Sequence, residues 1–237
     1  MYQQTQFREN SILPTDCITN SWEVVKENFG IFILATLIFY IMISCLSVFG
    51  LFLYGPLMAG VYYMFLKRMN DESFSLGDLF KGFENFLPTM TIGLLRSIPD
   101  LIYLLGYLYM VVYLEKPELT LLIILLLIYI LLTLIFKILM FFSIQLIVDY
   151  QVSVVEAIKL SIKASLSNIG GVVTLIIFYF LLSILGLLAF CIGVFITLPI
   201  AWGAEAFAYR QVFPKQSNPI HTPPPPTVYG QEFGSPL

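Results

Sequence analysis

The sequence predicts an all-α, polytopic membrane protein: six transmembrane helices arranged as three parallel hairpins, each preceded by an amphipathic interfacial helix. Three observations predict it. The 237-residue chain is 59% apolar and only 11% charged, with a mean hydropathy of +0.89, whereas a soluble domain carries about 25% charged residues. Apolar runs such as Leu119 to Phe136 are long enough for a hydrocarbon core of about 30 Å. A short script also recurs three times: a capping signal, an amphipathic stretch, an Asn, a long apolar run, then a Pro opening a second apolar run.

The elements follow in order. The capping signals are Asn20-Ser21-Trp22-Glu23, Ser75-Leu76-Gly77-Asp78 and Ser153-Val154-Val155-Glu156. They precede Asn28, Asn85 and Asn168, and the prolines are Pro56, Pro117 and Pro199. The Asn-to-Pro spacings of 28, 32 and 31 residues fit one crossing plus a turn. The crossings fall near Phe29 to Leu53, Pro56 to Leu66, Leu87 to Tyr113, Pro117 to Val148, Ile169 to Ile192 and Val194 to Val212. The second is short, unless it begins nearer Phe49 or runs past Lys67 and Arg68. Each returning crossing is expected to open at its Pro, whose missing N–H has no intrahelical partner at a first helical position. Pro56/Gly60 and Pro199/Gly203 share a Pro-x-x-x-Gly pattern, and Gly permits close helix contact in lipid.

The interfacial segments are read from periodicity. In the third, Ser153 and Glu156 form a capping box. Val155, Ile158, Ile162 and Leu166 make an apolar stripe opposite Glu156, Lys159 and Lys163. Such a helix lies at the headgroup boundary. The second sets Leu79, Phe80, Phe83 and Phe86 against Asp78, Lys81 and Glu84. The first is shorter, with Trp22 as an interfacial anchor. Residues 1–19 form a polar N-terminal stretch, residues 20–213 the six-helix domain, and residues 214–237 a Pro-rich tail expected to be extended and disordered.

Orientation follows from basic residues. Arg8, Lys26, Lys67, Arg68, Lys81, Lys159, Lys163, Arg210 and Lys215 fall on one side, against Lys116 alone on the other. The positive-inside rule puts both termini in the cytoplasm. The N-terminus lacks the features of a secretory signal peptide, so the first crossing directs insertion.

Composition also excludes classes. A net charge of −3 offers no basic field for nucleic acid. Cys17, Cys45 and Cys191 lack metal-site spacing and read as small apolar fillers. With a single His, His221, a His-rich metal site is excluded, and no metal or cofactor is expected. No serine-hydrolase elbow, His-Glu-x-x-His or phosphate loop is present, so no enzyme is expected.

Ionisable residues inside crossings cost about 3 kcal/mol on insertion scales and require a reason. Arg96, Asp100, Lys137 and Glu205 are the candidates for a ligand site. Counted at about 1.5 Å per residue, all four fall in the inner half at similar depth. Arg96 and Asp100 are i,i+4, and Lys137 is within reach of Asp100 from the paired helix. One reading is a cavity binding a phosphate-bearing lipid headgroup through Arg96 and Lys137, or relaying a proton. The other is structural, with both cations snorkelling and neutralised by acids.

The motifs Gly55-Pro56-Leu57-Met58-Ala59-Gly60, Phe65-Leu66 and Asp78-Leu79-Phe80-Lys81-Gly82-Phe83-Glu84-Asn85-Phe86 resemble the first half of a bacterial multi-pass membrane-protein family of unknown function. Val155 to Ser161, Asn168-Ile169-Gly170 and Leu198-Pro199 to Tyr209 resemble its second half. That superfamily includes YciC-like inner-membrane proteins and the membrane domain of some glycerophosphoryl diester phosphodiesterases, whose soluble catalytic domain has no counterpart here. The resemblance spans residues 20 to 213. It implies six helices and a bacterial inner membrane, and it supplies no catalytic residue. The functional expectation is a non-enzymatic inner-membrane protein that interacts with lipid or assists a membrane process. The alternatives are a small transporter or channel, and a scaffold that holds a protein partner through its Pro-rich tail. Oligomeric state is open.

Overall fold

A computed structural model describes residues 7–45, 49–113, 118–188 and 193–215. Pro117, Lys116, Cys191, His221 and the polyproline run lie outside the described residues. Within them the protein is all-helical, without a strand. The elements are α1 (Pro14–Glu27), α2 (Phe29–Cys45), α3 (Gly50–Met69), a 3-10 helix (Leu76–Asn85), α4 (Phe86–Arg96), α5 (Ile98–Tyr113), α6 (Leu119–Leu139), α7 (Ser143–Tyr150), α8 (Val154–Ser167), α9 (Ile169–Leu188) and α10 (Val194–Val212). Two stretches, Leu119–Tyr150 and Ile169–Leu188, are long and apolar enough to cross a bilayer. The number rises to four if two bent pairs each count as one span: α1 with α2, bent by 98°, and Leu76–Arg96 with α5, bent by 47°.

The three asparagines share one backbone conformation, with φ/ψ of −119/36° at Asn28, −110/41° at Asn85 and −123/27° at Asn168. Each stands where one helix ends and the next begins. Asn28 Nδ2 donates to Val24 O at 3.1 Å, and Asn168 Nδ2 donates to Ala164 O at 2.9 Å. Each side chain thereby bonds back to a carbonyl in the last turn of the preceding helix, where backbone partners run out. Asn168 also ties down the chain start: its Oδ1 accepts from the Ser11 N–H and its Nδ2 donates to Arg8 O, both at 2.9 Å.

Helix starts differ from expectation at two of the three capping signals. The Ser75/Asp78 capping box is present, but it opens a 3-10 helix rather than an α-helix. Ser153 Oγ accepts from the Glu156 N–H at 3.4 Å. The signal Asn20-Ser21-Trp22-Glu23 caps nothing. It lies inside α1, which begins at Pro14, a residue suited to a first helical turn.

The faces also differ. On α1 the buried residues are Cys17, Ser21 and Val25, which stand 11, 7 and 3 residues before Asn28. On α8, Ala157, Ser161 and Ser165 are buried at the same three distances before Asn168. The protein-facing stripe is therefore made of small residues. Val155 and Leu166, at the two ends of the apolar stripe read for the headgroup boundary, point outward, away from this packed face.

Pro56 and Pro199 do not open their helices. Both lie inside them, seven and six residues in. The segment expected as a short second crossing is a 20-residue helix, α3. In the middle copy the corresponding return helix starts after Glu118, runs unbroken to Leu139, and is interrupted at Met140–Phe142. Ser161 of α8 bridges this interruption, donating to Leu139 O at 2.9 Å and accepting from the Phe142 N–H at 3.1 Å. Its counterpart Ser21 donates to Ile200 O, one residue past Pro199, at 2.7 Å. The two serines place Leu139 level with Ile200, so Pro199 is level with Ile138 and the break at Met140–Phe142 follows just after that level.

Packing runs from copy to copy. α3 packs on the 3-10 helix and α4, α7 packs on α8, and α10 packs on α1 and α9. Two glycines illustrate how close the approaches are. A Cβ on Gly60 would overlap the Leu79 carbonyl, and one on Gly203 would overlap Ser21 Oγ and the Phe65 ring. Apolar side chains gain little from leaving lipid for protein, so such close contact carries the association. The α5–α6 hairpin stands apart. α5 contacts mainly α6, and α6, which also touches α8, α9 and α4, has no buried residue.

Candidate functional site

Gly55 and Gly93 set the site. A Cβ on Gly93 would meet the Gly55 backbone, and one on Gly55 would overlap Thr89 O. With α4 pressed this closely on α3, Arg96 comes to rest at the Gly50 end of α3. Directly after it the helix breaks at Ser97. Pro99, buried in the first turn of α5, lacks an N–H and crowds the preceding turn, which accounts for the break.

The break opens a cavity of about 290 Å³ lined by Ile43, Gly50, Leu51, Tyr54, Gly93, Arg96, Ser97, Asp100, Thr133 and Lys137. Arg96 and Asp100 are four apart on one side, and Thr133 and Lys137 four apart on the facing α6. Three of the four predicted site residues therefore share one cavity. The rim reaches the outer surface of the protein at Asp100 and Leu51.

Glu205 lies deeper. It is buried and accepts a 2.5 Å hydrogen bond from the Tyr62 hydroxyl. The Arg96 guanidinium adjoins the same hydroxyl, and Glu205 acts electrostatically on both Arg96 and Lys137. Tyr54 lines the cavity between the two regions.

Lys137, within reach of Asp100 by helix geometry, does not pair with it. Lys137 Nζ instead sits over the Tyr179 ring, 3.3 Å from its centroid, a cation–π arrangement. Asp100 Oδ1 accepts from the Tyr129 hydroxyl at 2.9 Å.

Among the described residues, no carboxylate forms an ion pair with Arg96 or Lys137. Arg96 Nη1 and Thr133 Oγ1 are buried without hydrogen-bond partners. Neutralisation by direct acid contact, the basis of the structural reading, is therefore not realised. No cluster of His, Cys, Asp or Glu among the described residues is arranged to hold a metal.

Sequence reasoning missed Thr133, Tyr54, Tyr62 and Tyr179. Two signals pointed to them: Thr133 precedes Lys137 by one helical turn, and Tyr62 follows Pro56 by six residues, as Glu205 follows Pro199. Asn28, Asn85, Asn168, Pro56, Pro199, Gly60 and Gly203 are all scaffold positions, and none lines the cavity. No protein-family model matches the chain, and neither the curated proteins nor the solved structures give a match.

Proposed function

We propose that the protein is a non-enzymatic, multi-pass protein of a bacterial inner membrane whose cavity binds the phosphate of a lipid headgroup. One observation carries this reading. Two cationic side chains without ion-paired carboxylates line a single cavity, and Arg96 Nη1 and Thr133 Oγ1 within it lack acceptors or donors. Unpaired donors in a water-poor site are costly, by about 1–3 kcal/mol each. A phosphate oxygen satisfies them, and a planar guanidinium matches it well.

The same reading assigns six crossings in three parallel hairpins, α2 with α3, α4–α5 with α6–α7, and α9 with α10. α1, the 3-10 helix and α8 lie at the cytoplasmic surface, and both termini face the cytoplasm. The common conformation of the three asparagines and the matching small-residue stripes support three copies of one unit. The basic residues at the ends of α3 and α10 support the orientation. The proposed kinship with the YciC-like superfamily rests on the residue motifs alone.

Native mass spectrometry of the detergent-solubilised protein tests the headgroup reading. Wild type is expected to retain phospholipid, and Arg96→Ala and Lys137→Ala to lose it. Absence of lipid from wild type, or unchanged retention in both variants, rejects it.

A further inference from the structure

We infer that the cavity selects a zwitterionic, primary-amine phospholipid, that is, a phosphoethanolamine headgroup, with the phosphate at Arg96 and the ammonium at Asp100. The inference rests on the phosphate reading above and deepens it.

Charge balance is the first argument. Arg96 and Lys137 contribute two positive charges, and Asp100 and Glu205 two negative ones, so the site is neutral when empty. A zwitterionic headgroup keeps it neutral. A net-anionic headgroup leaves one negative charge uncompensated where few waters solvate it, which is expensive in a low-dielectric setting.

Geometry is the second argument. The charges are segregated rather than mixed. Glu205 is occupied by Tyr62 at the deep end, and Asp100 stands at the exposed rim, with Oδ1 accepting from Tyr129 and Oδ2 without a hydrogen bond among the described residues. The cavity thus presents orphan donors inside, at Arg96 and Thr133, and a free acceptor one helical turn from Arg96 at the mouth. Phosphate and ammonium are joined by a short two-carbon spacer, and Arg96 and Asp100 project from one helix face a single turn apart. A primary ammonium donates to the Asp100 carboxylate, whereas a trimethylated one has no N–H to give.

The third argument separates a lipid from a soluble phosphate ester. The rim continues into the outward-facing apolar side chains Leu101, Leu105, Leu134 and Ile135. These run along the α5–α6 hairpin and offer a surface for acyl chains beside the headgroup.

The test uses the full-length protein in detergent with equal amounts of phosphatidylethanolamine, phosphatidylglycerol and phosphatidylcholine, read by native mass spectrometry. Wild type is expected to prefer phosphatidylethanolamine by about threefold to tenfold, the range of one partly solvated charged hydrogen bond. Asp100→Asn is expected to lose that preference while keeping total phospholipid, Asp100→Glu to retain it, and Arg96→Ala to lose all three lipids. Equal retention of the three by wild type, or an unchanged preference in a folded Asp100→Asn, overturns this inference and leaves the phosphate reading standing. Failure of wild type to retain any phospholipid overturns both. Phosphatidylcholine bound as well as phosphatidylethanolamine overturns donation to Asp100. Excess soluble glycerophosphoethanolamine is expected not to displace the lipid, and complete displacement overturns its identity as a lipid. If Asp100→Asn does not fold, stepwise N-methylation of the phosphatidylethanolamine offered to wild type takes its place: loss of the preference supports donation to Asp100, and a preference that survives full methylation overturns it.

Discussion

Tyr62 and Glu205, 143 residues apart in sequence, are hydrogen-bonded partners at corresponding points of two helices. Each lies six residues beyond the internal proline of its helix, Pro56 in α3 and Pro199 in α10. The position is a tyrosine in one copy and a carboxylate in the other, so the two unlike groups satisfy each other where two like groups would not. Tyr62→Phe leaves the carboxylate buried without its donor. It is expected to destabilise the protein by about 1–3 kcal/mol, lowering Tm by about 2–4 °C per kcal/mol for a chain of this size. Combining it with Glu205→Gln is expected to recover part of that loss, measured as a double-mutant cycle of thermal unfolding in detergent.

Gly60 faces the Leu79 carbonyl with no room for a methyl group. Since the obstacle is backbone on both sides, neither helix can yield by a rotamer change. Gly60→Ala is expected to separate α3 from the 3-10 helix and to abolish a monodisperse peak in size-exclusion chromatography. Gly30→Ala, where a Cβ meets nothing within 4 Å, is expected to behave as wild type.

Ser161 serves as donor and acceptor across the break between α6 and α7. Ser161→Ala removes both bonds and is expected to cost about 1–2 kcal/mol. Ser21→Ala removes a single bond, to Ile200 O, and is expected to cost about half as much. Chemical unfolding of the two variants in mixed micelles measures the ratio.

Asn168 holds the chain start through Arg8 O and the Ser11 N–H. Asn168→Ala is expected to release the segment before α1 while leaving α8 and α9 in place. Limited trypsin digestion checks this: cleavage after Arg8 is expected to accelerate several-fold, with no new cut at Lys159 or Lys163.

Lys137 rests on the Tyr179 ring without an acid partner. Tyr179→Leu removes the ring face but keeps apolar volume. It is expected to weaken phospholipid retention without abolishing it, whereas Lys137→Ala abolishes it. Equal retention in Tyr179→Leu and wild type shows that the ring does not position the ammonium.

Much of the scaffold was legible because it depends on residue types with one dominant physical use. The asparagines mark helix ends, as Asn28 and Asn168 do by bonding the carbonyl four residues back. The Ser75/Asp78 box also stands where the sequence put it. Other features were hidden for identifiable reasons. The break at Met140–Phe142 carries no proline and is recognisable only through Ser161, and Pro117 lies outside the described residues. The small-residue faces of α1 and α8 escaped because hydropathy ranks Val155 and Leu166 above Ala157 and Ser161, although in lipid the smaller side chains mark the packed face. At the site, three of four residues were found by the cost of charge in an apolar run. Thr133 and the tyrosines were not, because an uncharged polar side chain in a membrane helix carries no comparable penalty.

The copy-to-copy packing has a consequence for biogenesis. α1, near the start of the chain, finds its principal neighbour in α10, near the end, and the Arg8 N–H reaches Val212 O at 2.9 Å. α1 therefore waits for α10, with its Cys17–Ser21–Val25 face uncovered while every helix between them is made. Any product that stops short of α10 carries an open seam that quality-control proteases can read.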